Sequence, residues 1–533
     1  MEVSAPSLNV REGPGTSFPR IAKVPGGQQL TVVARDAEGG WLQVCCLDGQ
    51  MGWVSSGFVT HTQDLAGVPT AVAIPSPPVS KPLPSPQSVT VRETTISIPT
   101  YPYEQFLTHA VDPDHGNFPL RVLDRSAYEA SNPLAEAKAY RLVVLENEYL
   151  RVELLPELGG RVYGCVFKPT GNDEFYRNPV IKPTHWGPMT VSGANWWLAA
   201  GGLEWGLPVQ EHGYEWGFPW QYRIDRADDG SVAVHLWDGD EPRLRARVAV
   251  ALHPGQASFG LTIRLENPAD RAVSYQFWSN GMLAPGGSNR LSGSLEFVFP
   301  ASDMTVHSTS DQRMPGEGRP FTWPFYGGRN VSRLDTWQGY LGFFQRPAAQ
   351  GGFVGAYNHA ADEGIVRVYP TDVARGAKGF GVGWGVEAIP NHNWTDDDSG
   401  YVELHGGVTP TFWDWASLDA GQSLEWTETW FPIAGVGGLL HAERGGAVNV
   451  QLQPDGLLVG VYPTRRMTGQ LIVRLDNQQI YEADVRVAPD EPLTQVVPLP
   501  AGAPERGFVE VGLVDPVSGH HQVSMPATEM ALR

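Results

Sequence analysis

The sequence predicts an all-β protein of several domains, and three observations carry that expectation. Glycine supplies 61 and proline 45 of the 533 residues, enough to interrupt any long helix. Apolar and polar residues alternate over short runs, while 3.6-residue apolar periods are scarce. These runs recur about every 8–12 residues, the spacing of sandwich and barrel strands. The length allows roughly two to four domains.

Charge and cysteine content narrow the partners. The net charge is −20, from 38 basic and 58 acidic residues. Such a surface repels polyphosphates, so nucleic acid and anionic membrane are poor partners, whereas a neutral carbohydrate is compatible. Cys45, Cys46 and Cys165 form neither a disulfide framework nor a zinc spacing, and are expected as small buried residues. No stretch reaches the roughly 18 apolar residues of a transmembrane segment. Asp396, Asp397 and Asp398 lack the EF-hand spacing and read as a capped turn. Gly159-Gly160 and Gly201-Gly202 do not sit between a strand and a helix as phosphate cradles do. Neither a metal nor a cofactor is expected.

Residues 1–63 read as short strands broken by turns. The runs LNVREGPG and DGQMGWV, with Trp41-Leu-Gln-Val between them, closely resemble the bacterial SH3 domain family. That resemblance implies a five-stranded barrel, a cell-wall or envelope ligand, and a secreted or envelope-associated protein. No charged-then-apolar leader opens the sequence, so a secreted form implies one already removed. Residues 64–88 carry seven prolines between Pro69 and Pro86. They are expected as a stiff linker of about 3.1 Å per residue that holds the barrel away from the rest.

Residues 89–438 form the large body. Tyr140–Pro156 gives two strands joined at Glu146-Asn147, and Gly159-Gly160-Arg161 turns into a third. Later strands are expected at 231–238, 244–252, 257–266, 273–278, 352–358, 364–368, 400–403 and 422–430. Pro133–Ala139 is a short helical candidate. Residues 439–533 alternate over 448–452, 457–462, 470–475, 480–487 and 508–514, which suits an immunoglobulin-like β-sandwich.

The run LENEYLRVELLPELGGRVYGCVFKPTGNDEFYRNP at 145–179 resembles the opening of the galactose mutarotase-like superfamily, which includes the aldose 1-epimerases. GGLEWGLP at 201–208, FWSNGMLAP at 277–285, VGAYNHAADEGIVRV at 354–368, WTDDDSGYVELHGG at 394–407 and WTETWFPIAGVGG at 426–438 follow in the expected order. The resemblance implies a supersandwich of two antiparallel sheets with a sugar site on a concave face. In the epimerases a glutamate near the end of the body is the base and a histidine the acid. Glu403 sits where that glutamate is expected. The segment matched to the histidine is Phe277-Trp278-Ser279-Asn280-Gly281, which has none, so His212 or Glu204 would have to stand in.

The residues themselves draw attention to Trp196–Trp220. Six of the 18 tryptophans, from Trp186 to Trp220, fall within 35 residues. Glycines and prolines break every regular period there. Indoles stack on sugar C–H faces, and carboxylates and imidazoles bind sugar hydroxyls. Trp196, Trp197, Trp205, Trp216, Glu211, His212, Asn280 and His405 are therefore expected to bind substrate, some of the tryptophans being core instead. Glu215 is a weaker candidate, and His307 and His359 are more simply structural. Glu204 and Glu403 are expected as the catalytic pair of a glycoside hydrolase, one holding a proton and the other ionised. An aldose 1-epimerase-like isomerase and a non-catalytic carbohydrate-binding envelope protein are the alternatives.

Overall fold

The computed structural model describes the chain except residues 5–6, 16–17, 19, 48, 61–66, 72–87, 186–195, 386–387, 398 and 533. Trp186, Asp398 and most of the proline-rich segment lie outside the described residues. Two compact units are distinguished. One comprises Met1–Ser85, Ala434–His441 and Gly445–Arg533; the other comprises Pro86–Ile433 with Ala442–Arg444.

The first unit holds the barrel and the C-terminal sandwich. Five strands, between Ser7 and Ser55, make the barrel sheet. In the C-terminal part, Gly446–Gln453, Gly456–Pro463 and Leu493–Val497 are neighbours in one sheet. Gln478–Val487, Met467–Leu475, Arg506–Val514 and His521–Ala531 make the other. Within this unit the barrel is not held away as its proline-rich linker implied. Its apolar core includes Leu458 and packs on Val496 of the sandwich, and Arg11 ion-pairs with Glu491 at 2.7 Å. Cys45 and Cys46 are joined to each other and are not buried, contrary to expectation; Cys165 is buried and free.

Among its described residues, the second unit is built on a 14-stranded and an 8-stranded sheet. Seven strands of the larger sheet matter for the site: β1 (Arg161–Phe167), β2 (Leu203–Gly206), β3 (Trp278–Leu283), β4 (Asp303–Thr309), β5 (Leu341–Gln345), β6 (Gly376–Gly381) and β7 (Val402–Gly407). Their order across the sheet is β1-β2-β3-β7-β6-β5-β4. The 8-stranded sheet packs against the back of these strands. Trp430 of strand Ser423–Ala434 stands 5.9 Å from Phe175, ring centre to ring centre. A Cβ on Gly281 of β3 would lie 3.1 Å from the same tryptophan, and one on Gly406 of β7 would lie 2.0 Å from Arg367 Nη2. Glycine is placed where the two layers approach too closely for a side chain.

The helical candidate Pro133–Ala139 is not a helix. Its second half opens the strand Glu136–Glu146, and the helix lies earlier, at Arg125–Ala130, capped by Asp124. Pairing along the whole strand Thr90–Thr100 overrides the local helical preference. Among the described residues no helix is long and apolar enough to cross a membrane.

Candidate active site

Alternation along a strand sends every second side chain to one face, and on four adjacent strands that face is polar. Glu204 of β2 pairs in register with Asn280 of β3, Asn280 with His405 of β7, and His405 with Lys378 of β6. Glu403, two residues before His405, shares the face. The row continues a cavity of about 260 Å³ lined by Glu403, His405, Lys378, His212, Glu211 and His307, with Tyr340, Phe380 and Ile389 as apolar walls. Pockets for small ligands start at about 300 Å³, so one sugar ring is the scale that fits.

The loop after β2 delivers His212. Glu211 takes a left-handed φ of 57° and Gly213 one of 56°. A Cβ on Gly213 would meet Leu207 N at 2.1 Å, so the chain doubles back tightly on β2. His212 thereby returns to Glu204, with Nδ1 2.6 Å from Oε1. Beneath the imidazole lies Trp197, stacked at 3.9 Å and 8°. Glu204 is anchored in turn: its Oε2 is 3.2 Å from Arg161 Nη2. The Arg161 guanidinium is fully buried and donates to the carbonyls of Leu158, Gly201 and Trp216. Burial alone would lower the His212 pKa. The hydrogen bond and charge of Glu204, with the fields of Glu403 and Glu211, more than offset it and hold His212 above its ordinary value. With Nδ1 engaged by Glu204, Nε2 is the nitrogen left to the cavity.

Across the site, Glu403 Oε2 is 2.8 Å from His405 Nε2, and Oε1 accepts from Asn280 Nδ2 at 3.3 Å. Burial raises the Glu403 pKa, but His405 above all, in direct contact and hydrogen-bonded to it, brings it down to about 2. His405 is held neutral, at about 3, chiefly by burial. His307, 3.8 Å from Glu211, falls to about 2, again chiefly through burial.

The structure thus brings Glu403, His405, His212 and Glu211 to one cavity, with Asn280 bridging beneath. It does not bring Glu204 there: that carboxylate lies behind His212 and does not line the cavity. The expected Glu204–Glu403 pair across a cleft is therefore not formed. The four tryptophans are also misplaced by the sequence reading. Trp196, Trp197, Trp205 and Trp216 are at most 4% exposed. Trp196 packs edge-on to Trp216, Trp205 donates to Gly160 O, and Trp216 donates to Gly213 O. An indole with neither face free cannot stack a sugar, so all four are core and support. Glu215 is buried and serves Trp220 Nε1, and His359 pairs with Glu296. Asp396 accepts from Tyr101 and Lys182, and Asp397 from Thr395 and Ser399. Sequence reasoning missed Lys378 altogether and took His307 as structural. The signal for Lys378 was Gly376-Ala-Lys-Gly-Phe-Gly, where small residues at 377, 379 and 381 mark the packed face and leave Lys378 and Phe380 on the other.

Two large, mainly antiparallel sheets with a half-open polar cavity on one of them define the class. The chain belongs to the family described as "Domain of unknown function (DUF5107)", which matches residues 119–433. Residues 6–60 match the bacterial SH3 domain, and residues 441–515 match the second domain of YphG-like proteins. A Bacillus subtilis (strain 168) protein, "Putative N-acetylmuramoyl-L-alanine amidase YrvJ", is 44% identical over 55 residues, 10% of each chain. A TPR-domain-containing protein from Parabacteroides distasonis matches with a TM-score of 0.53 at 21% identity, over 65% of this chain and 56% of that one; that likeness concerns fold alone. The galactose mutarotase-like proteins are also structural neighbours of the central region. One from Clostridium acetobutylicum is 8% identical over 56% of this chain and 96% of its own, with a TM-score of 0.37.

Proposed function

We propose that the central unit is a carbohydrate-active enzyme that moves protons at the anomeric centre of a single sugar ring, as an aldose 1-epimerase does. One observation carries the reading: an ionised carboxylate, Glu403, and a histidine biased toward its protonated form, His212, face one small cavity. Glu403 accepts the proton of the anomeric hydroxyl, and His212 Nε2 donates to the ring oxygen. The C1–O5 bond opens to the aldehyde, and reclosure on the other face returns both protons. A carboxylate held near pKa 2 is a weak base by itself; concerted donation by His212 makes the transfer feasible. Tyr340 and Phe380 supply the apolar surface for which the tryptophans are too deeply buried.

A second reading rests on Glu211, which lines the same cavity. Two carboxylates there equip a glycoside hydrolase, with Glu211 in the place first given to Glu204. For the barrel we propose a cell-wall ligand and hence an envelope location, supported by the SH3 match and the likeness to YrvJ.

The test is anomer exchange, followed by NMR on a panel of aldoses, beside reducing-end release from oligosaccharides. The expected result is exchange above buffer that falls about 10²–10⁴-fold in Glu403→Gln. Reducing-end release that is lost in Glu211→Gln, without anomer exchange, would transfer the assignment to the hydrolase. Saccharide binding with neither activity would leave a binding protein.

A further inference from the structure

Lys378 lines the cavity but has no part in the proton-transfer scheme. It is 2% exposed on β6, and Glu403 and Glu211 act on it only through space. Its Nζ lies 3.1 Å from His405 Nε2, the same nitrogen that lies 2.8 Å from Glu403 Oε2. One ring nitrogen carries either a hydrogen or a lone pair. Beside an ionised carboxylate at that distance it carries the hydrogen. It then has nothing to accept from an ammonium, whereas a neutral amine offers it a lone pair. Burial pulls the same way and lowers the Lys378 pKa against the opposing fields of Glu403 and Glu211. The rings of Phe380 and Phe412, with centres 5.1 and 4.9 Å from Nζ, shield it from water.

We infer that Lys378 is a nucleophilic amine that condenses with the aldehyde of an open-chain sugar in this cavity. The inference rests on the sugar reading of the site, because ring opening is what exposes an aldehyde at C1. The Nζ lone pair adds to C1, the carbonyl oxygen takes a proton, and the nitrogen releases one, giving a carbinolamine. Protonation of its hydroxyl, by His212, lets water leave as the nitrogen lone pair forms the C=N bond; the product is the protonated imine, whose N–H proton returns to His212 when the neutral imine forms. Addition of water reverses every step. No oxidant or reductant enters.

The chain has six lysines, Lys23, Lys81, Lys138, Lys168, Lys182 and Lys378, so the test can be read residue by residue. The full-length protein is treated with D-glyceraldehyde and cyanoborohydride near neutral pH and its peptides are mapped by mass spectrometry. The expected result is reductive modification of Lys378 at least tenfold faster than of the other five, absent in Lys378→Met and suppressed by a saturating methyl glycoside. The methyl glycoside arm uses unaltered protein and holds even if the variant does not fold. Modification of exposed lysines with Lys378 untouched would overturn the inference. Propanal in place of glyceraldehyde separates the two proposals. Lys378 labelling without anomer exchange leaves the nucleophile standing and removes the sugar reading. Anomer exchange without labelling does the reverse.

Discussion

At the residue scale, His212 depends on a chain of contacts that ends in a buried arginine. Arg161 holds Glu204, Glu204 holds His212 Nδ1, and Trp197 holds the ring plane. Second partners of this kind fix tautomer and orientation. Glu204 is thus a positioning residue, and its removal should show in a pH profile. It raises the His212 pKa, so Glu204→Gln lowers it. An acid must be protonated to work, so its activity is lost as pH rises through its pKa. The alkaline limb of kcat should therefore move to lower pH in Glu204→Gln, while the acid limb, set by Glu403 at about 2, stays. A uniform fall in kcat with an unmoved alkaline limb would show that Glu204 acts only as a structural group. The residues of this chain were partly legible in the sequence: Glu403, His405 and His212 were singled out, and all three meet. The role of Glu204 was not legible, because a carboxylate facing a cavity and one facing an arginine read alike. The same ambiguity hides the tryptophans, since aromatic density looks identical in a platform and in a core.

At the element scale, β6 and β7 present chemistry on one face because the other face is pared down to fit the sheet behind. Behind β7, Arg367 makes two hydrogen bonds to Glu428, at 2.7 and 2.6 Å, and both residues are at most 1% exposed. Trp426 and Trp430 donate to the same carboxylate. A guanidinium so held cannot retreat from a Cβ that would approach it to 2.0 Å at Gly406. Breaking such a buried pair costs about 3–5 kcal/mol, more than the roughly 1–3 kcal/mol of ordinary overpacking. The strand is therefore expected to shift and the ion pair to stay. Gly406→Ala should lose about 1–3 kcal/mol in denaturant unfolding and lower turnover as well, since His405 and Glu403 precede it on the same strand. Unfolding at the wild-type midpoint would mean that the layers are looser than the contact implies. Strand positions were readable from alternation, as at Phe259–Glu266, expected within two residues. The partner of each strand was not, because pairing joins segments such as β3 and β7 that are more than 100 residues apart.

At the scale of the whole molecule, the barrel and the C-terminal sandwich stand at opposite ends of the sequence, yet share one unit. Their association is mainly apolar. The Arg11–Glu491 ion pair leaves Glu491 with 42% of its side chain exposed, and pairs open to water contribute at most about 1 kcal/mol. Covering an aliphatic side chain contributes more, about 1.5–3 kcal/mol, and Leu458 is 6% exposed within the barrel's apolar cluster. A Cβ on Gly57 would lie 2.9 Å from Val496 Cγ2, so the barrel surface is shaped to that residue. The proline-rich composition of 64–88 pointed to a spacer; it carried no information about a surface some 400 residues away. Calorimetry of the full chain should resolve a transition for this unit and another for the central unit. Removing residues 1–63 uncovers Leu458 and Val496, and should lower the sandwich transition by several degrees, since about 1 kcal/mol moves the midpoint of a domain this size by roughly 4–8 °C. The central transition should remain in place. An unmoved sandwich transition would show that the barrel is an independent module, whose contact with the sandwich contributes nothing to stability and leaves its ligand-binding surface uncommitted.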